Sequence, residues 1–206
     1  MHNWPGIQEG AFSIRPGPFF AATDIFDIQI EGRGGHAAKP QETVAPSVIA
    51  AHLIPAFQTI VSRTANPVEQ MVVSVTSMKS SSHAFNVIPG HVRLKGTVRT
   101  LSESMRDLAE TRMQDLCDHI GAAFGAKISL KYERNYPVMA NHEDQTVFAA
   151  DAARKVAGDC ADAPLVMGGE DFAFMLNDRP GAYILVGNGA SAPVHHPEYN
   201  FTDAEI

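Results

Sequence analysis

From Asp24 the chain alternates. Phe26, Ile28 and Ile30 are apolar, and Asp27, Gln29 and Glu31 between them are polar, the period of a strand with one face in a core. Gly32-Arg33-Gly34-Gly35-His36 interrupts that run. From about Glu42 to Ser62 the spacing changes: Val44, Val48, Ile49, Leu53, Phe57, Ile60 and Val61 fall on one helical stripe. Pro46 suits the first turn, whereas Pro55 lies mid-segment and is expected to kink or break the helix. Met71 to Met78 is rich in β-branched residues and predicts a second strand. Asn86 to Gly90 reads as a turn, after which Val92, Leu94 and Val98 alternate with Arg93, Lys95, Thr97 and Arg99.

Ser102 is a plausible N-cap for a second helix, which carries Met105, Leu108, Met113, Leu116, Cys117 and Ile120 on one face and ends near Gly125. Ile128, Leu130 and Tyr132 complete a fourth strand. Strand, helix, strand, strand, helix, strand is the ferredoxin-like split βαβ order, with helices on one face of an antiparallel sheet. The expected organisation is therefore α/β, with a βαββαβ unit at 23–137 inserted between 1–22 and 138–206. The two flanking pieces hold a helix from about Asp144 to Ala157, a short buried strand Tyr183–Val186 and several Gly/Pro-rich loops. They are expected to be parts of one larger α/β domain.

Composition narrows the function classes. The 206 residues are 45% hydrophobic and 19% charged with a formal charge of -7, so no basic stripe offers itself to nucleic acid. No apolar run approaches the ~20 residues needed to span a bilayer, and no signal-peptide pattern opens the chain. A cytoplasmic protein without a membrane partner is expected. Cys117 and Cys160 lack any CxxC or zinc-finger spacing, and Cys117 falls on the apolar side of its helix, which favours a buried free thiol.

Nine histidines invite a metal hypothesis. His52, His83, His91, His119 and His142 are scattered through helices, turns and strand ends and read as packed or solvated. His2 and His195 both lie in the flanking pieces, so they can converge, although two imidazoles alone do not make a metal site. His36 ends the first strand of the inserted unit among glycines that let the backbone approach a ligand. Asn86 and Arg99 can hold a carboxylate between amide and guanidinium, or can merely start a turn and line a polar sheet face. Met167-Gly168-Gly169-Glu170-Asp171-Phe172 is either a loop over a site or the start of a helix. Neither a phosphate loop, a GxSxG elbow nor an HExxH motif is present.

Taken in register, His2-Asn3-Trp4-Pro5-Gly6, Arg15-Pro16-Gly17-Pro18, Gly32 to Ala38, Phe85-Asn86-Val87-Ile88-Pro89, Gly96-Thr97-Val98-Arg99-Thr100, Met167 to Phe172 and His195-His196-Pro197 resemble the M20 peptidase family. The likeness is strongest to its hippurate hydrolase and N-acyl-amino-acid amidohydrolase branch. The resemblance implies a hydrolase with two divalent metal ions (Zn, Mn, Co or Ni), His2 and His195 matching metal ligands. It implies that the ferredoxin-like unit is a lid and homodimerisation domain. His36 then matches the lid histidine that steadies the developing oxyanion in the partner's site. Asn86, Arg99 and Glu170 match residues around the substrate, a small N-acyl amino acid.

The family's Cys-Gly-His motif and Glu-Glu pair lie upstream of the position matched by His2. The chain is accordingly expected to be the C-terminal half of such an enzyme, with doubtful activity alone. Gln41 and Ala45-Pro46 also depart from the residues commoner after the lid histidine. The alternative expectation is a non-catalytic dimerisation module, and after it a binding protein that uses Asn86 and Arg99 without turnover.

Overall fold

The computed structural model describes residues 1–201; the last five residues of the expected 138–206 segment lie outside the described residues. The chain divides into two compact units, one made of Met1–Ala21 with the chain from Val138 onward, the other of Ala22–Pro137.

The chain opens with three short strands, β1 (His2–Trp4), β2 (Phe12–Ile14) and β3 (Gly17–Phe20), and then enters the second unit. There β4 (Ala22–Glu31) is followed by β5 (Gly35–His36), α1 (Pro46–Thr59), β6 (Met71–Ser80), β7 (Val87–Ile88), β8 (His91–Thr100), α2 (Glu103–Phe124) and β9 (Lys127–Tyr136). The four long strands form one antiparallel sheet in the order β6-β8-β4-β9. β5 and β7 make a separate two-stranded ribbon.

The alternation seen in the sequence explains the layers. Phe26, Ile28 and Ile30 of β4 and Val92, Leu94 and Val98 of β8 are buried in one cluster with Ile49, Leu53 and Phe57 of α1 and Ala109, Met113 and Cys117 of α2. The intervening residues leave the opposite sheet face polar, with Asp27 paired to Arg93 and Lys95. A cleft of 630 Å³ on this unit, lined by residues such as Gln29, Lys79, His91 and Arg93, contains none of the six candidate site residues.

Helix α2 behaves as read. The Ser102 hydroxyl accepts the Met105 N–H, and Gly125 takes a left-handed φ of 67° that few other residues tolerate. Helix α1 does not break at Pro55. The proline has no N–H to give the carbonyl four residues earlier, but Leu53 and Phe57 on either side are fully buried and hold the helix in place. The helix instead loosens after Thr59 into a π turn over Ile60–Thr64.

One charged pair lies deep in this unit. Arg106 Nη2 donates to Asp24 Oδ1 at 2.6 Å, and the Tyr132 hydroxyl donates to Asp24 Oδ2 at 2.9 Å. The Asn135 N–H adds a longer bond to Asp24 at 3.3 Å. The pair thus ties the start of β4 to α2 and to the end of β9.

The first unit resumes with β10 (Met139–Asn141), α3 (Glu143–Ala157), β11 (Ala161–Asp162), α4 (Phe172–Asp178) and β12 (Leu185–Gly187). Its mixed sheet runs β1-β12-β2-β11, with β1 and β12 parallel, and β10 pairs with β3 beside it. Phe19, Phe20, Met139, Ala173, Leu176, Tyr183 and Leu185 form its main core. Cys117 and Cys160 are both free and buried. Among the described residues no helix is long and apolar enough to cross a membrane.

Candidate functional site

Two groups of candidates emerge, one in each unit. In the first unit His2 opens β1, half-buried, with its N–H bonded to the Ile184 carbonyl beside β12. Its Nδ1 lies 2.5 Å from the Asn3 carbonyl oxygen. A carbonyl only accepts, so Nδ1 carries the hydrogen, and in the neutral ring Nε2 keeps a lone pair of the kind that can ligate a metal.

His195 lies on the loop that leaves β12. That loop is tied to the chain after β1 at its root, where the Asn188 N–H donates to the Trp4 carbonyl (2.9 Å) and the Gly6 N–H to the Gly189 carbonyl (2.8 Å). The loop that carries His195 leaves the carboxyl end of β12, whereas His2 stands at the amino end of the neighbouring parallel strand β1. His195 is exposed and, among the described residues, is the one non-glycine with a positive φ, 68°. Such backbone strain concentrates at functional positions.

Glu170 is half-buried just before α4. Its Oε1 accepts the Phe172 N–H at 3.1 Å, and its Oε2 accepts the Tyr183 hydroxyl at 2.6 Å. The Tyr183 ring lies 6.5 Å from the His2 ring, centroid to centroid. One buried tyrosine therefore links two of the candidates. Burial, and then the bond to Glu170, holds the Tyr183 phenol well above the usual tyrosine range, so it stays a donor. Nothing in the sequence singled out Tyr183 beyond its place in the strand expected at Tyr183–Val186, and the strand itself begins only at Leu185.

In the second unit the ribbon brings together residues fifty apart. His36 pairs with Val87 across β5–β7, and the Ala37 N–H donates to the Asn86 carbonyl at 3.0 Å. Gly34 permits this: a Cβ there would meet the Ile88 carbonyl oxygen at 2.7 Å and the Gly90 nitrogen at 2.9 Å. His36 Nδ1 accepts the Ala38 N–H at 3.1 Å. Its neutral ring then carries hydrogen on Nε2, which leaves an exposed donor.

Arg99 is not part of that group. It lies near the far end of β8, half-buried, with Nη1 donating to the Thr97 hydroxyl and to the Val98 carbonyl. Burial lowers its pKa, opposed by the charge of Asp24. The ribbon joins the sheet at the His91 end, where the Gly32 N–H bonds the Gly90 carbonyl. Eight residues of strand at about 3.3 Å each separate His91 from Arg99, roughly 26 Å. Asn86 and Arg99 do not form a pair within one chain.

Metal capacity is partial. Among the described residues no three His, Cys, Asp or Glu side chains come together to hold an ion. His2 keeps Nε2 free of the bond that engages Nδ1, so the donor set fits a share of a metal centre and not a whole one.

Comparison with known proteins gives this geometry a context. The model of peptidase family M20/M25/M40 matches residues 1–206. The chain belongs to that family. Within the M20 family it is 36% identical, over its whole length, to an N-acetyl-L-cysteine deacetylase of Bacillus subtilis, covering 49% of that protein. It is 32% identical to the hippurate hydrolase of Campylobacter jejuni, with 98% of this chain aligned to 53% of that one. The chain thus spans about half the length of these curated relatives. Among solved structures, a protein of methicillin-resistant Staphylococcus aureus superposes with a TM-score of 0.88 at 27% identity, covering 99% of this chain and 54% of that one. The Bacillus subtilis YXEP protein, a dinuclear metal-binding M20 peptidase, superposes with a TM-score of 0.82 at 27% identity over all of this chain and 51% of its own. The mixed α/β fold is thus that of M20 hydrolases.

Proposed function

We propose that the complete protein is a metal-dependent amidohydrolase that cleaves the amide bond of N-acyl amino acids, releasing a carboxylic acid and the amino acid. The observation that carries this is the match along the whole chain to relatives named for that chemistry, a deacetylase and hippurate hydrolase. Residues 1–21 and the chain from Val138 form part of the catalytic domain, and the insert between them is a ferredoxin-like lid and dimerisation domain. In support, its sheet order, read by strand position within the unit, is second, third, first, fourth.

His2 and His195 supply part of a two-metal centre, completed by residues outside this chain. Bound divalent ions, Zn, Mn, Co or Ni, supply an activated water and a polarised amide carbonyl. Glu170 and Arg99 bind the substrate, Arg99 offering its fork to the carboxylate. His36 aims its Nε2–H at the oxygen on which charge builds, and Asn86 lies beside it on the same ribbon.

Two subunits share each site. A small N-acyl amino acid cannot touch both ends of β8, so in a homodimer the His36–Asn86 ribbon and Arg99 of one chain serve different active sites. The test is hydrolysis of benzoylglycine and N-acetylcysteine by the complete protein with added divalent metal, before and after chelation. Turnover abolished by chelator and restored by metal supports the reading; inactivity with every metal refutes it. An inactive dimer would leave the dimerisation module, or, if it bound an N-acyl amino acid saturably, the binding protein.

A further inference from the structure

Tyr183 is fixed from both sides. The Asn141 side chain is buried and clamps its backbone: Oδ1 accepts the Tyr183 N–H at 2.6 Å, and Nδ2 donates to the Tyr183 carbonyl and the Arg15 carbonyl, each at 2.9 Å. Its ring, 4% exposed, is held by Phe172 at 5.3 Å and Phe20 at 5.7 Å. With backbone and ring both fixed, the hydroxyl has one direction, and Glu170 Oε2 lies there at 2.6 Å. Packing alone would need only a phenylalanine. A buried hydroxyl without an acceptor is costly, so the polar atom and its carboxylate partner go together.

Glu170 is held in turn. One oxygen accepts the Phe172 N–H and the other the Tyr183 hydroxyl. An ionised carboxylate has about four acceptor positions, so lone pairs remain for a further donor. An N-acyl amino acid offers two acceptor groups, its acyl oxygen and its carboxylate. Apart from its side chain, its only donor is the amide N–H, which becomes an ammonium on cleavage.

We propose that Tyr183 is a positioning residue that holds the Glu170 carboxylate to accept the substrate's amide N–H. This rests on the amidohydrolase reading above. Asn141 is the second member of the same device, since it sets the backbone from which Tyr183 projects.

The test compares two compounds on the complete enzyme: benzoylglycine as substrate, and its N-methyl analogue, which lacks the N–H, as competitive inhibitor. Y183F keeps the ring and removes only the hydroxyl. It is expected to raise KM for benzoylglycine about tenfold, the effect of losing order from one charged hydrogen bond, and to leave the inhibition constant of the N-methyl compound unchanged. E170A should do the same, and the double variant no more. Independently of activity, thermal unfolding of this chain should show the Y183F and E170A losses to be non-additive. Equal weakening towards both compounds, or fully additive unfolding, overturns the proposal. A complete protein that hydrolyses no N-acyl amino acid overturns the function and this role together. An active enzyme whose KM ignores Y183F overturns this role alone.

Discussion

Asn86 and Arg99 lie by opposite ends of strand β8. The ribbon carrying Asn86 and His36 leaves beside Gly90 and His91, whereas Arg99 sits eight residues further along β8. A site that uses all three must draw them from two chains.

That arrangement predicts complementation between dead variants. In the complete protein, N86A and R99A homodimers should each be nearly inactive. Co-expressed, they form mixed dimers in which one site has both defects and the other has neither. Random pairing makes half the dimers mixed, each with one intact site, so about a quarter of wild-type activity should return. Activity of the co-expressed population measures this, purified mixed dimers should reach about half of wild type, and no recovery would show that Asn86 and Arg99 do not come to a site from different subunits.

The ribbon should be separable from the fold. G34A puts a methyl against the Ile88 carbonyl and the Gly90 nitrogen, yet neither His36 nor Val87 belongs to the unit's core. Displacing catalytic groups by about an ångström can cost roughly 100-fold in rate. G34A is expected to lower kcat/KM of the complete enzyme by about that factor while its unfolding midpoint barely moves.

Asp24 should be a stability residue. D24A leaves Arg106, itself 5% exposed, without its main counter-charge. Removing one partner of a buried pair costs about 3–5 kcal/mol, which urea unfolding of this chain would register as a lower midpoint with little change in slope.

Alkali should unfold the chain partly through Cys117. Burial, helped by Asp118, pushes its thiol from 9.0 up to about 12. The unfolded chain therefore loses this proton first, so the stabilisation is complete below pH 9.0 and falls as pH rises towards 12. The maximum slope is about 1.4 kcal/mol per pH unit. Unfolding midpoints of wild type and C117A, taken at about pH 8 and about pH 11, should fall more steeply for the wild type.

Much of the second unit was legible because its strands are ten residues long and half-buried, so the period of two repeats several times in each. The first unit was less so. β1, β2 and β11 span two or three residues, too few to show any period, and appear only once neighbours pair with them. Pro55 misled because local backbone chemistry was outweighed by the burial of Leu53 and Phe57. His2, His195, His36, Asn86, Arg99 and Glu170 stood out as motifs, and their roles came from resemblance. The meeting of His36 with Asn86, and of Tyr183 with Glu170, joins residues distant in sequence through side chains and turns that no spacing reveals.

The most direct measurement is the metal content and hydrolytic rate of the complete protein as wild type, H2A and H195A. If these histidines hold the metals, each variant should lose bound metal and lose at least about 100-fold in turnover of N-acyl amino acids, while unfolding as cooperatively as wild type. Full metal content and undiminished turnover in H195A would contradict the assignment of that loop to the catalytic centre.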